Sequence, residues 1–108
     1  AADMINIKLM KSGGIRAARK IAAIAEAAGL PCMVGCMIET RIGISAGCHF
    51  ATAHSVVKYA DLDGHTTLKI DPAKGGIEVK GSNERLLDGL GLALDVDDSV
   101  LKTVSVQP

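Results

Sequence analysis

Cys32-Met33-Val34-Gly35-Cys36-Met37-Ile38 decides the fold. The run lies between Pro31 and Glu39 and carries no charge. A continuous apolar run of this length suits a strand buried on both faces, as in a parallel sheet, better than a strand with one wet face. Upstream, Ile5 to Met10 alternates Ile5, Ile7 and Leu9 with Asn6, Lys8 and Met10, which predicts another strand. Lys11-Ser12-Gly13-Gly14 follows as a turn, with Ser12 a candidate N-cap. Ile15 to Ala28 then predicts a helix whose apolar stripe is Ile15, Ala18, Ile21, Ala22, Ala25 and Ala28. Gly29 and Pro31 stop it.

Downstream, Ile42 to about Val57 reads as an Ala- and Gly-rich helix, and Val56 to Leu62 as a third strand ending at Asp61-Leu62-Asp63-Gly64. The order β-α-β-α-β with short connections predicts parallel strands with crossover helices. After Gly64 the character changes. Leu68–Ile70 and Gly76–Lys80 are short strand-like pieces, Leu90–Val96 is an apolar run, and Val100 to Pro108 has weak strand character. The expectation is a unit over residues 1–64 and an irregular covering segment over 65–108.

With 108 residues there is room for one domain. Twelve basic and twelve acidic residues cancel, so no basic footprint for nucleic acid or an anionic membrane exists. One Phe, one Tyr and no Trp leave no stacking platform for single strands. Three cysteines are no disulfide framework, so a reducing, cytoplasmic setting is expected. No apolar stretch approaches the ~20 residues needed to span a bilayer. The opening residues lack the charged leader and apolar core of a signal peptide.

Three parallel strands alone leave two edges with unpaired backbone groups. Cys32–Ile38 is too apolar for a protected edge. The expected architecture is therefore α/β, the last three β/α units of a (β/α)8 TIM-type barrel, incomplete as it stands.

In barrels and open α/β sheets, functional groups gather at the carboxyl ends of strands. Lys8, Glu39, Asp61 and Asp63 occupy such positions. On an extended strand Asp61 and Asp63 point the same way and suit an ammonium, a guanidinium or a metal. Desolvation disfavours an ammonium, so a lysine in a barrel lumen serves as a general base near neutral pH. The plainer readings are a snorkelling edge lysine, an Asx turn before Gly64, and an acid beside the following helix. Cys32, Cys36, Cys48, His49 and His54 lack metal-ligand spacing and read as core and helix-surface residues.

INIKLMKSGGI (Ile5–Ile15), CMVGCMIETRIG (Cys32–Gly43), AHSVVKYADLDG (Ala53–Gly64) and GLGLALDVDDSVL (Gly89–Leu101) stand in the order of successive blocks of a known family. The chain resembles the C-terminal part of the enolase superfamily. The resembling subgroup holds mandelate racemase and muconate-lactonising enzymes, and among them dipeptide epimerases of the L-Ala-D/L-Glu type.

The resemblance implies an isomerase that abstracts the proton α to a carboxylate by 1,1-proton transfer. Lys8 would be one of two opposed acid/base lysines. Asp61 and Asp63 would hold the α-ammonium of a dipeptide, and Met37 and Glu39 would line the pocket at the second strand's end. Residues 65–108 would be the segment that returns to pack on the barrel and capping domain. Mg²⁺ would be the cofactor, bound by three carboxylates on earlier strands that this sequence does not contain, so its metal ligands here are none. The expected partners are a small-molecule dipeptide or carboxylate, the missing N-terminal part of the same protein, and a second copy in a homo-oligomer. The chain is thus expected to be an inactive fragment of the enzyme. The alternatives are a muconate or chloromuconate cycloisomerase or another lyase of the superfamily, and a non-catalytic assembly module.

Overall fold

The structure, a computed structural model, describes residues 1–101. In chain order it contains β1 (Ile5–Lys8), a single helical turn α1 (Leu9–Ser12), α2 (Ile15–Ala27), β2 (Cys32–Gly35), α3 (Arg41–Ala53) and β3 (Val57–Asp61). A 3₁₀ turn (Gly64–Thr67), the short strands β4 (Ala73–Gly75), β5 (Ile77–Lys80), β6 (Asn83–Leu86) and β7 (Leu94–Val96), and a second 3₁₀ turn (Asp98–Val100) follow.

β1, β2 and β3 form one parallel sheet in that order. Ile7, Cys32 and Val34 are buried on one face. They pack with Ala18, Ala22 and Ala25 of α2 and Ile44, Cys48 and Phe50 of α3. Alanine at these α2 positions brings the helix close to the sheet. Fully burying a side chain such as Ile7 or Val34 contributes about 1.5–3 kcal/mol. α2 ends as its sequence predicts: Gly29 takes φ +69°, its N–H reaches Glu26 O, and Leu30 N–H reaches Ala25 O. That pair of bonds satisfies the last carbonyls of the helix.

Among the described residues, the segment after Gly64 packs mainly on α3. β4 pairs with β7 and β5 with β6, both antiparallel. Among the described residues, neither β1 nor β3 has an outer partner strand.

Several boundaries differ from expectation. β1 stops at Lys8 because Leu9–Ser12 winds into a turn closed by Gly13 at φ +84°, whose N–H returns to Leu9 O. Met10 therefore does not share the strand parity of Asn6 and Lys8. Ser12 is not the N-cap of α2; Gly14 holds that position, and the Ser12 hydroxyl donates to Lys8 O. α3 stops at Ala53. His54 turns extended, its Nδ1 pairs with Phe50 O at 2.8 Å, and its ring stacks on Phe50. Leu68–Ile70 is no strand, whereas Asn83–Leu86 is one. Gly81-Ser82, with Gly81 at φ +61°, is the two-residue hairpin turn that signals it. The expected strand character of Val100–Pro108 gives way to the 3₁₀ turn at Val100, and residues 102–108 lie outside the described residues.

Candidate active site

Strand register brings Lys8 and Asp61 onto one face. Lys8 pairs with Gly35, and Gly35 pairs with Asp61. Paired residues of adjacent strands project to the same face, so Lys8 and Asp61 share one side of the sheet. It is the side away from α2 and α3, because Ile7 and Val34, of opposite parity, carry the helix-covered core. Two strand spacings separate them, roughly 10 Å between backbones. The next row down is Asn6, Met33 and Tyr59. Lys8 is half-buried and Asp61 exposed.

Strand alternation does not place Asp63. β3 ends at Asp61, and Asp63 adopts helical backbone as the residue opening the 3₁₀ turn. The alternation survives in burial, with Leu62 buried between two exposed acids. Gly64 locks the turn down. A β-carbon there would lie 2.2 Å from Met37 O and 3.1 Å from Cys36 Sγ, so only glycine allows this approach to the end of β2.

Glu39 folds back on its own loop. Its Oε1 accepts the Met37 N–H at 2.9 Å, and its other oxygen packs against Gly43 in the first turn of α3. Glu39 as a whole is only 9% exposed. The carboxylate therefore closes its own loop, and among the described residues no α3 amide donates to it. Met37 beside it is 38% exposed.

Cys36 stands among all three acids, a position the sequence reading weighed only for zinc. Burial pushes its thiol up. The charges of Asp61, Asp63 and Glu39 add to that rise, and a Gly64 N–H to the sulfur opposes it. The signal available beforehand was its place just past a strand end. Asn6 was likewise named only as a parity neighbour, yet its amide lies over Gly35 beside the Lys8 stem.

A cleft of about 560 Å³ opens between α3, the end of β3 and the β5–β6 hairpin. Asp61 and Asp63 reach its rim but Lys8 does not, so it is not the space the lysine faces. Cys48 donates to Glu84 there, and burial, followed by that carboxylate, pushes the thiol up to about 12. Among the described residues no three His, Cys, Asp or Glu side chains could hold a metal ion. No helix among those residues is long and apolar enough to cross a membrane.

Residues 1–100 match the model of the family described as Enolase C-terminal domain-like. The chain is 49% identical over 94 residues to the L-Ala-D/L-Glu epimerase of Bacillus subtilis, covering 87% of this chain and 26% of that protein. It is 46% identical over 98 residues to the L-Lys-D/L-Arg epimerase of Methylococcus capsulatus, covering 91% and 28%. Its fold is similar to a substrate-liganded structure of the B. subtilis enzyme (TM-score 0.82, 49% identity, 86% of this chain and 26% of that one). It is also similar to the M. capsulatus dipeptide epimerase solved with Mg and the dipeptide L-Arg-D-Lys (TM-score 0.84, 46% identity, 86% and 26%). The chain spans about a quarter of the length of these relatives.

Proposed function

The chain belongs to the enolase superfamily, in its C-terminal domain-like family, and from that premise we propose that it supplies the carboxyl-terminal part of a dipeptide epimerase. Residues 1–64 are then the last three β/α units of a (β/α)8 barrel, with the helix-free sheet face as lumen. Residues 65–108 are the segment that returns over the barrel toward a capping domain. The observation that carries this reading is the row Lys8–Gly35–Asp61 on that bare face. The open edges of β1 and β3 support it, since a closed barrel pairs both.

The chemistry follows from the groups present. The neutral amine of Lys8 accepts the proton α to the substrate carboxylate. The C–H bond breaks, its electrons move toward the carboxylate, and an N–H bond forms on Lys8. Inversion needs a proton returned to the opposite face, and the group that returns it lies outside this chain. Asp61 and Asp63 hold the dipeptide's ammonium, setting the α-carbon against Lys8. Met37 borders the pocket, while Glu39 braces its wall. The Mg²⁺ seen in the relatives' structures belongs with residues beyond this chain.

The test is a hybrid in which this chain replaces the matching segment of the B. subtilis epimerase. Incubated with L-Ala-L-Glu or L-Ala-D-Glu, Mg²⁺ and D₂O, the hybrid should exchange the α-proton of both isomers. Lys8→Ala should abolish exchange from one isomer while leaving it measurable from the other. Unchanged exchange from both isomers in that variant removes Lys8 from the mechanism. The chain alone should exchange neither.

A further inference from the structure

One contact in the sheet is not needed by the fold. Gly35, the middle member of the Lys8–Gly35–Asp61 row, is the strand residue whose missing side chain leaves room on the bare face. A β-carbon placed there would lie 2.8 Å from Asn6 Oδ1, 3.3 Å from Asn6 Nδ2 and 3.2 Å from Lys8 Cε. The Asn6 amide and the end of the Lys8 stem thus converge over one backbone position. They come from alternate residues of β1 and lean across onto β2.

The φ of Gly35 is not in the left-handed region, so its backbone does not demand glycine. Elsewhere the row bears ordinary side chains. What glycine supplies is space, and the space is filled by the proposed base and an amide. Asn6 is exposed and its side-chain amide has no hydrogen-bond partner among the described residues, so the amide adds nothing evident to the core. An amide carbonyl is an acceptor that an ammonium can use, and an amide N–H₂ is a donor that a neutral amine can use. Asn6 can therefore serve Lys8 in both of its protonation states.

We propose that Asn6 and Gly35 are positioning residues for the Lys8 amine: the glycine seats the stem against the sheet and the amide fixes where its nitrogen points. The inference rests on the epimerase reading of this site. Their effect is confined to the proton transfers at one face of the α-carbon, because only that face is served by Lys8. Loss of alignment by about 1 Å can cost roughly 100-fold in rate.

The hybrid enzyme tests this through its two half-reactions. The isomer that Lys8→Ala silences defines the Lys8 face. Asn6→Leu and Gly35→Ala should each slow deuterium exchange from that isomer by roughly 10- to 100-fold, mainly in kcat. Exchange from the other isomer should stay within about threefold, a difference too small to signal a lost catalytic alignment. Asn6→Gln, which keeps the amide, should recover part of the loss, and Asn6→Ala should partly relieve Gly35→Ala by vacating the crowded position. Equal slowing from both isomers means general damage to the barrel and overturns the proposal; so does no slowing in Asn6→Leu when that variant is folded by circular dichroism. If the unsubstituted hybrid, folded by circular dichroism, exchanges neither isomer, the epimerase reading falls and this proposal with it. Normal exchange in the parent with symmetric losses in the variants removes the positioning role alone.

Discussion

Asp71 caps the helix that begins at Arg41 from thirty residues away: its Oδ2 accepts the Arg41 N–H at 2.7 Å while Oδ1 accepts the Ala73 N–H at 3.0 Å. The contact is answered in the other direction. The Arg41 guanidinium donates to Ile77 O at 2.9 Å and Gly75 O at 3.3 Å. α3 has no cap from its own Thr40 side chain, so an orphan amide at its first turn is satisfied by the segment that covers it. The carboxylate thereby ties the start of α3 to β4, and the guanidinium ties it to β5.

Asp71→Ala should loosen that tie. Losing a helix cap costs about 1–2 kcal/mol, which is roughly a tenfold change in opening equilibrium. Hydrogen exchange of the hybrid enzyme should speed up at the Arg41 amide and through β4 and β5, with little change in β1. Unaltered protection at Arg41 would show that water replaces the cap without cost.

Gly64→Ala should act on substrate binding before it acts on chemistry. Its new methyl would meet Met37 O, so the turn carrying Asp63 must lift from β2. If that turn holds the dipeptide's ammonium, KM should rise by about tenfold or more while kcat changes less. Steady-state kinetics on L-Ala-L-Glu decide the matter, and a fall in kcat at constant KM would contradict the binding role.

Glu39 separates bracing from binding. Glu39→Ala leaves the Met37 N–H without its partner and should cost about 1–3 kcal/mol of stability. Glu39→Gln keeps an acceptor there and should be close to neutral in thermal melting. With the carboxylate engaged by its own loop, the Gln variant should also leave KM nearly unchanged. A large rise in KM for Glu39→Gln would instead place the charge on the substrate.

Cys48 should be inert to thiol reagents in the folded state at pH 8. Burial, with Glu84 second, raises its thiol from 9.0 to about 12, so almost no thiolate is present. The sign of the linkage follows. The unfolded thiol loses its proton near 9 and the folded one near 12, so its share of stability is intact below pH 9 and declines between 9 and about 12. Glu84→Gln removes the neighbouring charge and should narrow that window. Alkylation rates followed against pH, with and without the substitution, measure both effects.

What could be read without coordinates was whatever depends on local order. The apolar run at Cys32, the alanine stripe of α2 and the Gly29 stop each state a preference that neighbours along the chain already express, and the parallel β-α-β-α-β core follows from them. Lys8, Asp61 and Asp63 were recognisable as strand-end polar groups for the same reason. Register was not readable, because it depends on which residues meet across strands. The pairing of Lys8 with Gly35 and Asp61 puts an ammonium and a carboxylate on one bare face. The close approach of Gly64 to Met37 fixes the turn that follows Asp63, and the Asn6 amide meets the Lys8 stem over Gly35. Glu39 turned inward and Cys36 surrounded by acids come from the same cause. Long-range packing places these groups, and no spacing along the chain encodes it.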